Sequence, residues 1–223
     1  MRSFSERREI NKLGLETFFL NLENNHYDYN INNLVIDLEN KIKTLEEKEI
    51  KNHDDEIEII FLYKELFAIS EMKIIYAYKH FEIHLKFLIK ASYPDTKESS
   101  FFKWESVVDF LKSKNIKLSE ISNHKEIEEL RNLNNSIKHS RNLINNKTKN
   151  IEEFTNKKEI DYKDLLIFYK RIEKASSDFI FSLAKHIEKD LYHFDDKRIE
   201  SIAQKILLRM DDKTVQKLIQ KLK

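Results

Sequence analysis

Residues Asp54–Lys90 read DDEIEIIFLYKELFAISEMKIIYAYKHFEIHLKFLIK, and this stretch decides the fold. It contains neither glycine nor proline, and its apolar residues recur at the three- and four-residue spacing of a helix. Asp54 suits the N-cap position, because acids fill the first turn after it. The predicted core-facing positions are Ile60, Tyr63, Phe67, Ile74, Ala77, Phe81, Leu85 and Leu88. The pattern predicts one long central helix, or two helices joined by a kink.

The composition of the whole chain excludes several classes of protein. Its 223 residues include one glycine, Gly14, one proline, Pro94, and no cysteine. Glycine-rich phosphate loops, dinucleotide-binding fingerprints and nucleophile elbows all need glycines that this chain lacks. Disulfides, thiolate metal sites and cysteine nucleophiles are excluded as well. We therefore predict no cofactor and no metal site.

Charge and hydropathy predict a soluble chain. The 40 basic and 39 acidic residues give a formal net charge of +1. No apolar run approaches the roughly 18 residues that a membrane-spanning helix requires. The first residues, MRSFSERREINK, lack the apolar centre of a secretion signal. We expect a cytoplasmic protein without membrane contacts.

Helical periodicity continues along most of the remaining chain and predicts an all-α bundle of about six to eight helices. Beside the central helix, helices are predicted over about 6–25, 31–51, 104–111, 124–145, 162–192, 196–209 and 211–222. Asp195 or Asp196 and Asp211 are the predicted caps of the last two. The predicted division is an N-terminal helical extension at residues 1–52, a core at 53–193 and a basic helical extension at 194–223.

The helix predicted over 124–145 has an unusual polar surface. At about 100° per residue, its core face holds Leu130, Leu133 and Ile137. Its other face is predicted to hold Arg131, Asn134, Asn135 and Lys138, with His139 at the edge. Residues 130–149 include five basic residues and no acid. Such a face is typical of an anion-binding patch with a titratable group. The same residues also fit a plain solvent-facing helix rich in Asn and Lys.

Two stretches of the chain resemble the HEPN superfamily. The first is LRNLNNSIKHS (Leu130–Ser140), where Arg131-Asn132 is followed by His139. The second is IIYAYKHFEIHLKFL (Ile74–Leu88), which is similar to the aromatic–Glu helix that packs beside that motif. The resemblance covers about residues 71–183. Seven residues separate Arg131 from His139, one more than is usual in the family. The resemblance implies an HEPN-like core with helical extensions at both termini.

The resemblance also implies a function, which is metal-independent RNA cleavage in a bacterial toxin–antitoxin or anti-phage defence system. His139 would act on the ribose 2′-hydroxyl or the leaving oxygen, and Arg131 would stabilise charge at the phosphate. The implied products carry a 2′,3′-cyclic phosphate and a 5′-hydroxyl. Family members commonly pair two motif helices across a homodimer, and an antitoxin or defence-complex protein is a further expected partner.

Further residues are expected to bind the RNA substrate. Asn132 matches the family's polar second residue, and Glu82 aligns with the aromatic–Glu pair. Asn135, one turn before His139, would orient the substrate or the imidazole, and Lys138 would supplement phosphate binding.

Other interpretations of the sequence remain open. The same residues also fit a catalytically degenerate HEPN-like binding or dimerisation module, or a helical regulatory subunit. His80 and His84 stand one turn apart, but Phe81 occupies the position where a zincin motif needs Glu, which favours a polar helix face over a metal site. The segment Lys197–Lys223 has eight basic and three acidic residues. It favours docking on the bundle, with nucleic acid, a partner or a membrane surface as alternatives.

Overall fold

A computed structural model describes residues 27–140 and 143–222 of the chain, together with Glu6 and Glu9. About three quarters of these residues are helical, which confirms the predicted all-α bundle of six to eight helices. The helices are α1 (Tyr27–Glu46), α2 (His53–Ser92), α3 (Trp104–Ser113), α4 (His124–Ser140), α5 (Tyr162–Ile172), α6 (Ala175–Tyr192), α7 (Asp196–Leu207) and α8 (Asp212–Leu222). Within the described ranges there is no strand, only an isolated bridge between Leu143 and Glu159.

Some predicted helix boundaries need correction. The helix predicted over 6–25 lies outside the described residues, apart from Glu6 and Glu9, which are helical. The helix predicted from residue 31 already begins at Tyr27, so the polar residues just before residue 31 are part of this helix. The single helix predicted over 162–192 is two helices, because the chain turns between Ile172 and Ala175. Neither glycine nor proline marks that turn.

Helix α2 is one helix of 40 residues, and a capping box fixes its start. The Asn52 side chain accepts a hydrogen bond from the backbone N–H of Asp55 at 2.8 Å, and the Asp55 carboxylate accepts one from the N–H of Asn52 at 3.2 Å. The predicted cap at Asp54 is therefore wrong. The two reciprocal bonds satisfy backbone donors that the first turn would otherwise leave unpaired.

The core forms around α2. Leu66, Ile74, Phe81, Leu85 and Leu88 are almost fully buried, and each such side chain contributes on the order of 1.5–3 kcal/mol to folding. The predicted stripe is correct in the second half of α2 and wrong in the first half, where both Ile60 and Tyr63 are exposed. The buried side chains there are Leu62 and Leu66, which pack in a cluster with Val35, Ile42, Leu45 and Tyr162.

The chain divides into two compact units, Met1–Ile187 and Glu188–Lys223. The second unit includes α7 and α8, and the predicted caps are confirmed there. Asp195 accepts a hydrogen bond from the N–H of Arg198 at 2.8 Å, and Asp211 accepts one from the N–H of Thr214 at 2.7 Å. No helix in the described ranges combines the length and the apolar character needed to cross a membrane.

Candidate functional site

Helix α4 carries the predicted motif, and neighbouring elements cover about half of its circumference. Leu130 and Leu133 are fully buried, as predicted for the core face, whereas Ile137, the third residue predicted there, is half-buried. Asn134 is also buried, with 1% of its surface exposed, so its predicted place on the polar face is wrong. At about 100° per residue it lies only about 40° from Leu130, inside the arc that the core covers. Its amide donates to the Asn135 side chain at 3.4 Å.

Arg131 lies at the edge of this covered arc, with 19% of its side chain exposed. Its guanidinium carbon is 5.5 Å from the centre of the Trp104 ring, and its Nη1 is 4.0 Å from a carboxylate oxygen of Glu105. The Nε atom is buried, and no residue of the described chain accepts a hydrogen bond from it. The guanidinium is therefore held in place by a ring while one of its buried donors is unsatisfied.

Tyr78 of α2 lies within electrostatic range of Arg131, Glu82 and Glu105. Burial, assisted by the negative charges of Glu82 and Glu105, raises the pKa of Tyr78 to about 12, and the positive charge of Arg131 opposes that rise. Tyr78 is consequently a neutral hydroxyl at physiological pH. Glu82 also forms an ion pair with Lys86 at 3.3 Å. We call Arg131, Trp104, Glu105, Tyr78 and Glu82 the Arg131 site.

The other predicted site residues lie further along α4. Asn132 and Asn135 are half-buried, and Lys138 and His139 are exposed in the last turn. Eight residues of helix place His139 about 12 Å along the axis from Arg131 and about 80° around it. Arg131 and Glu82 therefore share Tyr78 as a neighbour, whereas one copy of α4 does not place His139 beside Arg131.

The segment after α4 returns to the helix through Asn145. The Asn145 amide donates to the Ser136 hydroxyl at 2.8 Å, and its oxygen accepts from the N–H groups of Lys147 and Thr148. Ser136 and Thr148 are both buried. These bonds fix the C-terminal half of α4 and hence the positions of Asn135 and His139.

A second arginine ties α4 to α5. Arg171 donates to both carboxylate oxygens of Glu153, at 2.7 and 3.0 Å, and to Glu129 of α4 at 2.8 Å. The bond to Glu153 is the main cause that raises the pKa of Arg171 above its ordinary value. The network orients α4 because it joins that helix to α5 and to the segment between them.

The sequence did not predict a cavity of about 310 Å³ beside α2, which we call the α2 slot. Its lining includes Lys73, Tyr76, Ala77, His80, His84 and Tyr169. By helical geometry His80 lies about 160° around α2 from Tyr78, so the slot and the Arg131 site use different faces of the same helix. The four-residue spacing of Tyr76, His80 and His84 was the signal available in the sequence. Residues 27–140 and 143–222 contain no group of three His, Cys, Asp or Glu that could hold a metal ion.

The Arg131 site offers donors to an anion, and the α2 slot offers a concave aromatic surface. Comparison with protein-family models, with curated proteins and with solved structures finds no match to this chain.

Proposed function

We propose that the chain is a metal-independent endoribonuclease of HEPN type, in which Arg131 binds the scissile phosphate and His139 transfers the proton. The observation that carries the proposal is the state of Arg131. Its guanidinium is fixed over Trp104, its Nε lacks an acceptor among the described residues, and its carboxylate neighbour is 4.0 Å away. An arginine held in this way is suited to receive phosphate oxygens, because its planar donors are oriented before the ligand arrives.

Glu105 does not prevent phosphate binding at this site. Its side chain is 76% exposed, so water screens its charge, and an exposed ion pair at 4.0 Å contributes little. A phosphate can replace this carboxylate at the guanidinium without breaking a buried salt bridge. The neutral hydroxyl of Tyr78 adds no negative charge to the site.

A homodimer would bring Arg131 of one chain close to His139 of the other. On a helical wheel Asn135 lies midway between them, about 40° from each, and it is also midway along the axis. A two-fold axis through Asn135 would set two antiparallel α4 helices so that each Arg131 meets the partner's His139. This face of α4 is half-buried at Asn135 and exposed at Lys138 and His139. Asn132, Asn135 and Lys138 would then flank the bound RNA.

A second function is a catalytically degenerate HEPN-like module that binds RNA or dimerises without cutting. The distance of about 12 Å along α4 between Arg131 and His139 favours it, because one chain alone cannot place both groups on one phosphate ester bond. A toxin–antitoxin or anti-phage setting, with a partner protein in the cytoplasm, is part of our proposal and rests on the motif resemblance.

RNA cleavage by the purified chain tests the proposal. We expect it to cut single-stranded RNA in the presence of EDTA and to leave 2′,3′-cyclic phosphate and 5′-hydroxyl ends.

His139→Ala should lower the rate about 10²–10⁴-fold through loss of proton transfer. Arg131→Ala should lower it about 10²–10³-fold through loss of charge stabilisation. Arg131→Lys should also lose most of the rate, since an ammonium cannot reproduce the planar donors.

Lys125→Ala provides the matched control, because Lys125 is an exposed basic residue on the same helix, 3.6 Å from Glu129. It should cut RNA at close to the wild-type rate, and circular dichroism should show all variants folded. Cleavage that survives Arg131→Ala, or that requires a divalent cation, would refute the proposal. RNA binding without cleavage would favour the degenerate module.

A further inference from the structure

A row of rings lines the α2 slot along one helix. Tyr76, His80 and His84 occupy successive turns of α2, with ring centres 6.5 and 6.2 Å apart. Ile172, Ser176 and Ile180 also line the cavity, from α5 and α6. The rings offer faces on which a planar aromatic ligand can stack, and the two isoleucines add apolar contacts. The volume of about 310 Å³ is at the lower end of the range for small-ligand pockets, roughly 300–1,000 Å³.

A small side chain opens the slot. Ala77 contributes to the lining one turn after Lys73 and one turn before Phe81, where the neighbouring residues of the IIYAYKHF run are bulky. A larger side chain at Ala77 would project into the space that the cavity occupies. The position therefore offers a way to fill the slot without touching its polar groups.

The polar groups of the slot favour a neutral ligand that both donates and accepts hydrogen bonds. Burial, and secondarily His80, lowers the pKa of His84, so this imidazole is neutral near pH 7. A neutral imidazole carries one donor and one acceptor, and the hydroxyl of Ser176 can act as either. The two formal charges in the lining, on Lys73 and Glu173, are opposite in sign.

Lys73 stabilises the aromatic wall. Only 4% of this residue is exposed, its ammonium lies 4.1 Å from the centre of the Tyr169 ring, and it donates to the Asn32 side chain at 2.6 Å. A cation over one face of a ring is attracted to its electrons and holds the ring in orientation. The Tyr169 ring of the lining is thus held in place before a ligand enters.

We propose that the α2 slot binds a nucleobase, which stacks on the ring ladder and exchanges hydrogen bonds with the imidazoles and with Ser176. Nucleobases are planar, neutral and edged with both donors and acceptors, which is the combination that this lining fits. The base is carried either by a free nucleotide or by an RNA strand. This binding function goes beyond RNA cleavage at Arg131 and does not require it.

Calorimetric titration of the full-length chain with adenosine, guanosine, cytidine and uridine tests the proposal. At least one nucleoside should bind with a Kd below about 1 mM. Ala77→Leu should raise that Kd at least about tenfold by filling the slot. Tyr76→Ala, at the exposed rim, should raise it about fivefold or more through lost stacking, and it provides a second variant if Ala77→Leu does not fold.

Two controls separate this proposal from the previous one. Phe87→Ala removes an exposed aromatic side chain of α2 outside the slot and should leave the Kd unchanged. Arg131→Ala should also leave the Kd unchanged, so a failure of the cleavage proposal does not affect this result.

If the slot variants also weaken binding of a ten-nucleotide single-stranded RNA, the base belongs to a strand. If they weaken only nucleoside binding, the ligand is a free nucleotide. No binding of any of the four nucleosides, or equal binding by folded Ala77→Leu, would overturn the proposal.

Discussion

Arg131 lies on α4 and Arg171 lies on α5, and each holds its guanidinium over an aromatic ring. The distances are 5.5 Å to Trp104 and 5.2 Å to Phe168. Their carboxylate partners differ. Arg171 makes three hydrogen bonds of 2.7–3.0 Å to two carboxylates, whereas the nearest carboxylate oxygen recorded for Arg131 is 4.0 Å away.

This difference separates a structural arginine from one suited to bind a ligand. The carboxylates of Glu153 and Glu129 are largely buried, so removing Arg171 would leave Glu153 without this partner and Glu129 with only the longer pair to Lys125, at 3.6 Å. Glu105 is exposed, so removing Arg131 leaves only a hydrated carboxylate. The donors of Arg171 are committed to the fold, and those of Arg131 remain usable by a phosphate.

The largest expected effect is the difference in stability between the Arg171→Ala and Arg131→Ala variants. Arg171→Ala should lower the free energy of unfolding by about 2–3 kcal/mol, because it removes a positively charged partner from buried carboxylates. Arg131→Ala should lower it by less than about 1 kcal/mol, since it breaks only an exposed pair and a ring contact. Urea denaturation followed by circular dichroism measures both. Equal losses for the two variants would mean that Arg131 is as structural as Arg171.

Neutralising the carboxylate partners should give smaller effects. The change should lower stability at Glu153 and tighten RNA binding at Glu105. Glu153→Gln should destabilise the fold by about 1–2 kcal/mol, because it weakens charge-assisted hydrogen bonds. Glu105→Gln should change stability by less than about 0.5 kcal/mol and tighten binding of single-stranded RNA about twofold to threefold, since it removes a competing negative charge. Fluorescence anisotropy at low salt measures the affinity. Weaker RNA binding by Glu105→Gln would show that this carboxylate supports the site instead of competing with the phosphate.

The fold could be predicted from the sequence because helical spacing and the near-absence of glycine and proline are local signals. The all-α class, the long central helix and the caps at Asp195 and Asp211 follow from them. The buried face of the first half of α2 did not follow, because both of its faces are apolar there. Only the packing of α1 and Tyr162 selects Leu62 and Leu66 over Ile60 and Tyr63.

The site could be predicted only in part. The helix that carries Arg131 and His139 was recognisable from its acid-free window and its motif, but the partners of Arg131 lie on other elements. Nothing in the sequence pairs Arg131 with Trp104 or Glu105 of α3, and nothing indicates that Asn134 faces the core. The α2 slot also needs α5 and α6 beside α2, so the four-residue spacing of Tyr76, His80 and His84 indicates a row of rings on one helix face but not a cavity.

The most direct test of the central claim is the activity of a mixed dimer. Chains with Arg131→Ala and chains with His139→Ala, carrying different tags, are co-expressed, and the dimer holding both tags is purified. If two α4 helices share each site, this dimer keeps one intact Arg131–His139 pair and should cut RNA at about half the wild-type rate, although each variant alone is inactive. A mixed dimer as inactive as either variant alone, beside an active wild type, would contradict the account.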